Sequence, residues 1–538
     1  MRTKQVLDGV WDFQWYGAEK PQFPMEFTEI SSVPGCFDLM EPHCGKRGYA
    51  VYRRFVKIGG KVKLFLDGLG MEGTVYWDGR QVGKCKYAYM PEDFYFDAGE
   101  EGRHELTVVI DNRYNFAFTP DYDFYGYGGI YGSVTIERVP EHAVTQVLIS
   151  TEDYTIGLIN IKATAADRYT GKAWVNFDTG AGPECTFKDG EMECQVKVPD
   201  FNLWDMEHPY LHELTLKTET DEVTESFGIR LFATQGRKLL LNGREIKLLG
   251  YNRHESFPTI GAAMPLSLMA SDLKLIKEQG CNFIRGSHYP QRRSFLEMCD
   301  RMGMLVWEET LGWGIQAPKL HSPQLLEIQL DQARKMTMAS FNHPCIVIWG
   351  YLNENDSTKE PTRALIKAIY DEIRAIDKHC LISFASNKYQ EDICTDLVDV
   401  VSMNPYPGWY DSTYDNISAI DRIRPVLQKL SDDLPKDKPF LITELGAEAI
   451  YGFRDPLKTR WSEEYQTELL AEACRYVLES EDCAGISIWH FSDTRSFVNG
   501  PEIYERAKGF NNKGVLDEYR RPKLAWYTLK QLFKSEKK

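Results

Sequence analysis

No stretch of the 538-residue sequence approaches the roughly 20 consecutive apolar residues that a membrane helix needs, which argues against a helical membrane protein. The opening segment, Met1-Arg-Thr-Lys-Gln-Val-Leu-Asp-Gly-Val-Trp, is interrupted by Asp8 and Gly9 before the apolar core of a signal peptide can form. The 12 cysteines are never arranged in a CxxC pair or a dense framework. Scattered single thiols of this kind are expected to stay reduced, so a cytoplasmic location is expected. Two N-x-S/T sequons, at Asn355 and Asn416, carry little weight without a secretion signal. Positive charge is also in deficit: 63 Lys and Arg face 79 Asp and Glu, a net −16 with a sequence pI near 5.3. The broad basic field used to bind nucleic acid or an anionic membrane surface is therefore missing, and neither partner is expected. An anionic ligand would have to be selected by a local cation. Short-period repeats, low-complexity segments and Cys/His clusters at metal-ligand spacing are absent too, so no metal and no other cofactor is expected.

Aromatic residues, by contrast, make up 13% of the chain, with 12 Trp and 29 Tyr, the kind of supply that sugar-binding sites draw on. At 43% hydrophobic and 26% charged, the composition is that of a globular chain long enough for about three domains. The first 230 or so residues alternate with the two-residue period of half-buried strands, as in Val51–Ile58, Lys63–Asp67 and Thr74–Trp77. Gly59-Gly60, Asp78-Gly79 and Gly128-Gly129 mark turns between them, so a β-sandwich is expected over 1–139. A second strand-rich block, 140–231, has the size of an immunoglobulin-like sandwich. From 232 to 538 short apolar runs alternate with amphipathic segments. The runs are Ile246–Gly250, Asn282–Arg285, Met304–Trp307, Ile346–Trp349, Leu381–Phe384, Val398–Ser402, Phe440–Thr443 and Ala484–Trp489. Eight strand–helix units in about 300 residues predict a (β/α)8 TIM barrel.

Barrel active sites lie just past the C-terminal ends of the strands, and nearly every such position here is polar or acidic. Asn252-Arg253-His254-Glu255 follows the first run and Gly286-Ser287-His288-Tyr289 the second. Glu308-Glu309, Asn353-Glu354, Asn404-Pro405-Tyr406, Glu444 and Trp489-His490 follow later ones. Glu354 and Glu444 form the pair of interest, since strands four and seven face each other across a barrel mouth. Glycosidic cleavage needs two such groups, one protonated acid for the leaving oxygen and one ionised carboxylate for the anomeric carbon. A lone glutamate is more often a helix cap or half of a salt bridge; two at matched strand ends reverse that expectation.

At this point the residues resemble glycoside hydrolase family 2, and within it the β-glucuronidase members. The segments that carry the resemblance span nearly the whole chain. They include Leu7-Asp-Gly-Val-Trp, Val33-Pro-Gly, Tyr52-Arg-Arg-Phe, Asp123-Phe-Tyr-Gly-Tyr-Gly-Gly-Ile-Tyr and Leu249-Gly-Tyr-Asn-Arg-His-Glu. Arg285-Gly-Ser-His-Tyr-Pro, Asn342-His-Pro-Cys-Ile-Val-Ile-Trp, Asn353-Glu354 and Ile442-Thr-Glu444 continue it. The resemblance implies a jelly-roll sugar-binding domain, an immunoglobulin-like sandwich and a catalytic barrel. It implies Glu354 as acid/base, Glu444 as nucleophile of a retaining reaction, and Tyr406 beside the nucleophile. Asn353 would bond the sugar 2-hydroxyl, while His254, His288, Asn404, Tyr410 and Trp489 would line the sugar site. Asn511 and Lys513, in Asn511-Asn512-Lys513-Gly514, match the N-x-K element that holds a uronate carboxylate, with Arg506 assisting. A lysine ammonium and an asparagine amide suit that task, and a chain of this net charge needs them. Asp123 would reach across from the first domain to the sugar 4-hydroxyl, where glucuronides and galacturonides differ. The reading is thus an exo-β-glycosidase for β-D-glucuronides of small molecules or glycans, possible as a homo-oligomer. A β-galacturonidase or β-galactosidase, and a carbohydrate-binding protein on an inactive barrel, stay open as rivals.

Overall fold

The computed structural model describes residues 2–39, 41–116, 124–410, 416–496 and 506–535. The chain begins with two antiparallel sheets packed face to face. One has four strands in the order Thr3–Val6, Val134–Arg138, Lys61–Leu66 and Glu92–Asp97. The other has six, in the order Glu29–Val33, Gly9–Gly17, Tyr49–Ile58, Gly102–Asp111, Glu72–Trp77 and Arg80–Cys85. Alternation produces the packing: in Lys61–Leu66, Val62, Leu64 and Leu66 are buried, and they meet Trp11, Phe13, Tyr52 and Val75 from the larger sheet. A second sandwich follows, a three-stranded sheet starting with Val144–Asp153 against a four-stranded one ending with Glu222–Phe227. Its core holds Ile159, Ile161, Val175, Leu214, Leu216 and Phe227.

A small sheet of Phe232–Gln235, Lys238–Leu241 and Arg244–Ile246 then leads into a closed parallel barrel. Its strands are β1 (Leu248–Asn252), β2 (Phe283–Gly286), β3 (Leu305–Glu309), β4 (Ile346–Asn353), β5 (Leu381–Ser386), β6 (Val401–Met403), β7 (Phe440–Ile442) and β8 (Cys483–Ile488). β8 closes on β1, with Leu248 opposite Gly485. Every residue of these strands except Leu249 is buried, as expected of parallel strands walled by helices.

The structure corrects three details of the sequence reading. The first barrel strand starts at Leu248, not Ile246: Lys247 turns its ammonium to the carbonyls of Val477 (2.6 Å) and Ser480 (2.5 Å), separating the small sheet from the barrel. β6 is shorter and later than Val398–Ser402, because the Asp399 carboxylate is held sideways by Arg374 (2.5 Å) and Tyr370 (3.0 Å). Finally, β5 and β6 are joined without an α-helix, by two short 3-10 turns at Tyr389–Glu391 and Thr395–Leu397. That connection forms part of the wall of the barrel mouth, through Asn387, Tyr389 and Gln390.

The first domain reaches that mouth. Tyr89 stacks on Tyr289 with ring centroids 3.6 Å apart, Tyr127 shares a 2.8 Å hydrogen bond with Ser256, and Arg292 donates to the Tyr131 carbonyl at 3.2 Å. The Asn355 sequon is buried, its side chain bonded to the backbone of Ile315 (2.7 Å) and Gly312 (2.8 Å).

Candidate active site

Glu354 and Glu444 line the same cavity, of about 700 Å³, at the C-terminal end of the barrel. Phe124, His288, Trp313, Asn404, Tyr406, Tyr410 and Trp489 share its wall. Glu354 follows an irregularity in β4, where pairing with β5 slips between Gly350 and Asn353. Leu352 and Glu354 both adopt left-handed backbone, with φ of 53° and 54°. Such geometry is costly for residues with a Cβ and concentrates at functional positions. Here it aims the Glu354 carboxyl into the cavity rather than along the strand.

The two carboxyls have opposite surroundings. Glu444 receives Arg285 Nη1 on Oε1 at 2.8 Å and the Tyr406 hydroxyl on Oε2 at 2.8 Å. Two donors, one of them a guanidinium, thus engage both of its oxygens. Glu354 accepts one neutral donor, Asn404 Nδ2, at 2.9 Å. Burial, with the nearby Glu444 charge second, pushes its pKa up to about 8. Near neutral pH Glu354 is therefore protonated and faces a second carboxyl engaged by two donors, the asymmetric pair that glycosidases use.

Arg285, unassigned in the sequence reading, organises the floor of the site. It is buried at the end of β2, and besides Glu444 it donates to Glu309 Oε2 (2.8 Å), Asn353 Oδ1 (2.8 Å) and Asn252 Oδ1 (3.1 Å). Burial opposes its charge, but Glu309 and Glu444 outweigh that and hold it protonated. Glu309 also takes Trp307 Nε1 at 2.8 Å and His288 Nδ1 at 2.9 Å. Gly350 makes that possible, because a Cβ there would lie 1.9 Å from the Trp307 indole nitrogen. Asn353 Oδ1 is occupied by Arg285 and by Asn404 (3.2 Å), while its buried Nδ2 has no protein partner among the described residues. An amide N–H left for a ligand suits the role assigned to Asn353 from the resemblance. His288 stacks on Trp489 at 5.1 Å and brings Nε2 to 3.7 Å from Glu444 Oε1.

Burial, and then the Glu444 charge, raises the Tyr406 phenol well above its usual range, so it stays a donor. Replacing Tyr406 by phenylalanine is expected to lower kcat about 10²-fold, the usual cost of one lost donor at a charged reacting group. Steady-state rates on a chromogenic substrate measure this; an unchanged kcat would leave the Tyr406–Glu444 bond without a role.

The remaining candidates are placed differently from the expectation. His254 does not line the cavity; it packs edge-on behind Trp489, ring centroids 5.4 Å apart, with Nδ1 3.3 Å from the Tyr289 hydroxyl. Asn511 is buried and its Oδ1 accepts from the Lys513 backbone at 3.3 Å. Lys513 lies behind the wall, its ammonium 5.0 Å from the Tyr410 ring centroid and 3.2 Å from Glu448 Oε1. Arg506 also bonds Glu448 rather than the cavity. Asp123 lies outside the described residues, although its neighbour Phe124 lines the cavity. Sequence reasoning missed the far wall: Asn387, Tyr389 and Gln390 from the β5–β6 connection, and Arg422, Val426 and Leu430 at and within the helix α1 (Ile423–Asp433).

Two sandwiches before a barrel with two unlike carboxyls at its mouth define the class, a barrel glycoside hydrolase. Residues 232–537 match the family model for the glycosyl hydrolases family 2 TIM barrel domain, and residues 141–230 match that for glycosyl hydrolases family 2. The chain belongs to glycosyl hydrolases family 2. Among curated proteins it is similar to β-glucuronidase of Rattus norvegicus, 30% identical over 77% of this chain and 64% of that one. It is 29% identical to β-glucuronidase of Sus scrofa over 99% of this chain and 90% of that one. The matched regions span 64% and 65% of the rat and mouse enzymes. Among solved structures, the GH2 β-galacturonidase from Eisenbergiella tayi superposes with a TM-score of 0.90 at 33% identity, covering 99% of this chain and 96% of that one. The Faecalibacterium prausnitzii β-glucuronidase gives a TM-score of 0.89 at 25% identity, over 99% of this chain and 98% of that one.

Proposed function

We propose that the protein is a retaining exo-β-glycosidase that hydrolyses β-D-glucuronides. The observation that carries this reading is the contrast between the two cavity carboxyls, Glu354 held neutral by burial and Glu444 bonded by the Arg285 guanidinium and the Tyr406 hydroxyl. In the first step a Glu444 oxygen attacks the anomeric carbon, the glycosidic C–O bond breaks, and the Glu354 proton passes to the leaving oxygen. In the second, Glu354 takes a proton from water, the water oxygen attacks the same carbon, and the bond to Glu444 breaks. Trp489 and His288 offer the sugar ring an apolar wall, and Asn353 Nδ2 a donor for its 2-hydroxyl.

Selection of an acidic sugar is assigned to Lys513 with Asn511. Support comes from the N-x-K match and the β-glucuronidase relatives, and the ammonium lies 5.0 Å from the ring centroid of Tyr410, which lines the cavity. A second reading, β-galacturonide hydrolysis, is favoured by the likeness to the Eisenbergiella tayi β-galacturonidase. A panel of chromogenic β-glucuronide, β-galacturonide and β-galactoside with one leaving group separates these readings. Lys513→Ala is expected to lower kcat/KM on the preferred uronide about 10²-fold, the scale of a charge-assisted pair, with a much smaller effect on the galactoside. Equal losses on both would make Lys513 structural, and a wild-type preference for the galactoside would overturn the uronide reading.

A further inference from the structure

Glu448 stands four residues beyond Glu444 on the loop after β7, buried completely, and no step above uses it. Its carboxylate gathers Lys513 of the proposed uronate clamp, the neighbouring Arg506 and the backbone beside Asn511. Oε1 bonds both Lys513 Nζ (3.2 Å) and Arg506 Nη1, and Oε2 accepts the Asn512 backbone N–H at 2.9 Å. A buried carboxylate is costly unless it is paired and hydrogen-bonded, and here both oxygens are engaged. The Lys513 stem passes Gly446, where a Cβ would lie 3.6 Å from Lys513 Cδ, and the ammonium ends beside Tyr410. A lysine is a point charge on a flexible four-carbon stem, so its position must be set by what it pairs with.

We infer that Glu448 is a specificity-determining positioning residue: it holds Lys513 and Arg506 at one place beside the cavity and ties that place to the strand that carries the nucleophile. The inference rests on the uronide reading above. It places the group that positions the cations four residues from the nucleophile, on the same loop after β7. Glu448 does not touch substrate; it acts through the cations.

The test is steady-state kinetics of full-length wild type, Glu448→Gln and Glu448→Asp on the preferred uronide and on the neutral glycoside with the same leaving group. For Glu448→Gln the uronide KM is expected to rise about tenfold or more with kcat falling less than about threefold, because ground-state placement is lost while the carboxyl pair is intact. The uronide-to-neutral ratio of kcat/KM should fall with it. Glu448→Asp, which keeps the charge, should recover part of that ratio. Parallel losses of kcat on both substrates, or an unchanged ratio, would overturn the inference. If Glu448→Gln does not fold, the aspartate variant alone decides: a KM raised on the uronide but not on the neutral glycoside supports the inference, and equal changes overturn it. The wild-type arm reports on the uronide reading, so its failure is visible separately from that of Glu448.

Discussion

Replacing Glu444 by alanine should lower turnover of an aryl uronide about 10⁴-fold or more, since removal of a covalent nucleophile leaves only binding and the remaining polar groups to act. The loss should fall on kcat, about 5 kcal/mol of transition-state stabilisation at 1.36 kcal/mol per tenfold change. The product formed with added azide makes the result specific. With the carboxylate gone, azide enters from the face Glu444 occupied, displaces the leaving group once, and yields the α-glycosyl azide. The same addition to Glu354→Ala should intercept the glycosyl-enzyme and yield the β-azide. Two opposite anomers from the two variants would assign the two roles. A β-azide from Glu444→Ala, or activity within tenfold of wild type, would contradict the assignment.

The second large effect concerns pH. Glu354 must be protonated to act as acid, and burial places its pKa at about 8, so kcat/KM should hold at neutral pH and fall as pH rises through about 8. Glu354→Gln should abolish that alkaline limb. It should also lower kcat/KM about 10³-fold on alkyl uronides, which need protonation of the leaving oxygen, and far less on a dinitrophenyl uronide, which does not. On the latter kcat falls too, because release of the glycosyl-enzyme needs Glu354 as base. The same shift has a stability consequence. A carboxyl raised above its unfolded value costs folding free energy as pH rises from the unfolded pKa of about 4.5 toward the folded one. The glutamine variant should therefore gain in Tm over wild type between pH 5 and 9, with no gain at pH 4. A pH profile identical in wild type and variant would show that another group sets the limb.

Much of this was legible in the chain because parallel barrel strands are buried on both faces and read as short apolar runs ending in polar residues. Ile346–Asn353 followed by Glu354, and Phe440–Ile442 followed closely by Glu444, show the pattern plainly. What stayed hidden depends on partners distant in sequence. Arg285 ends an apolar run like its neighbours, and only the fold shows one guanidinium serving Glu309, Asn353, Asn252 and Glu444 together. Glu448 looks like any loop acid until Lys513 and Arg506 come back to it from more than fifty residues away. The missing helix between β5 and β6 was hidden for a different reason. Residues 387–400 have an ordinary length for a turn and helix, but Asp392 and Asp399 bind their carboxylates to Ser357 and Arg374 and hold the chain in short turns. The wall formed by Asn387, Tyr389 and Gln390 therefore could not be drawn from the sequence.

Proton NMR of the first sugar released tests the central claim most directly. Two unlike carboxyls, one attacking carbon and one delivering a proton, require two displacements and so release the β-anomer of the uronic acid first, with the α-anomer appearing only as mutarotation proceeds. Immediate release of the α-anomer would mean a single displacement by water, and Glu444 could not be the nucleophile.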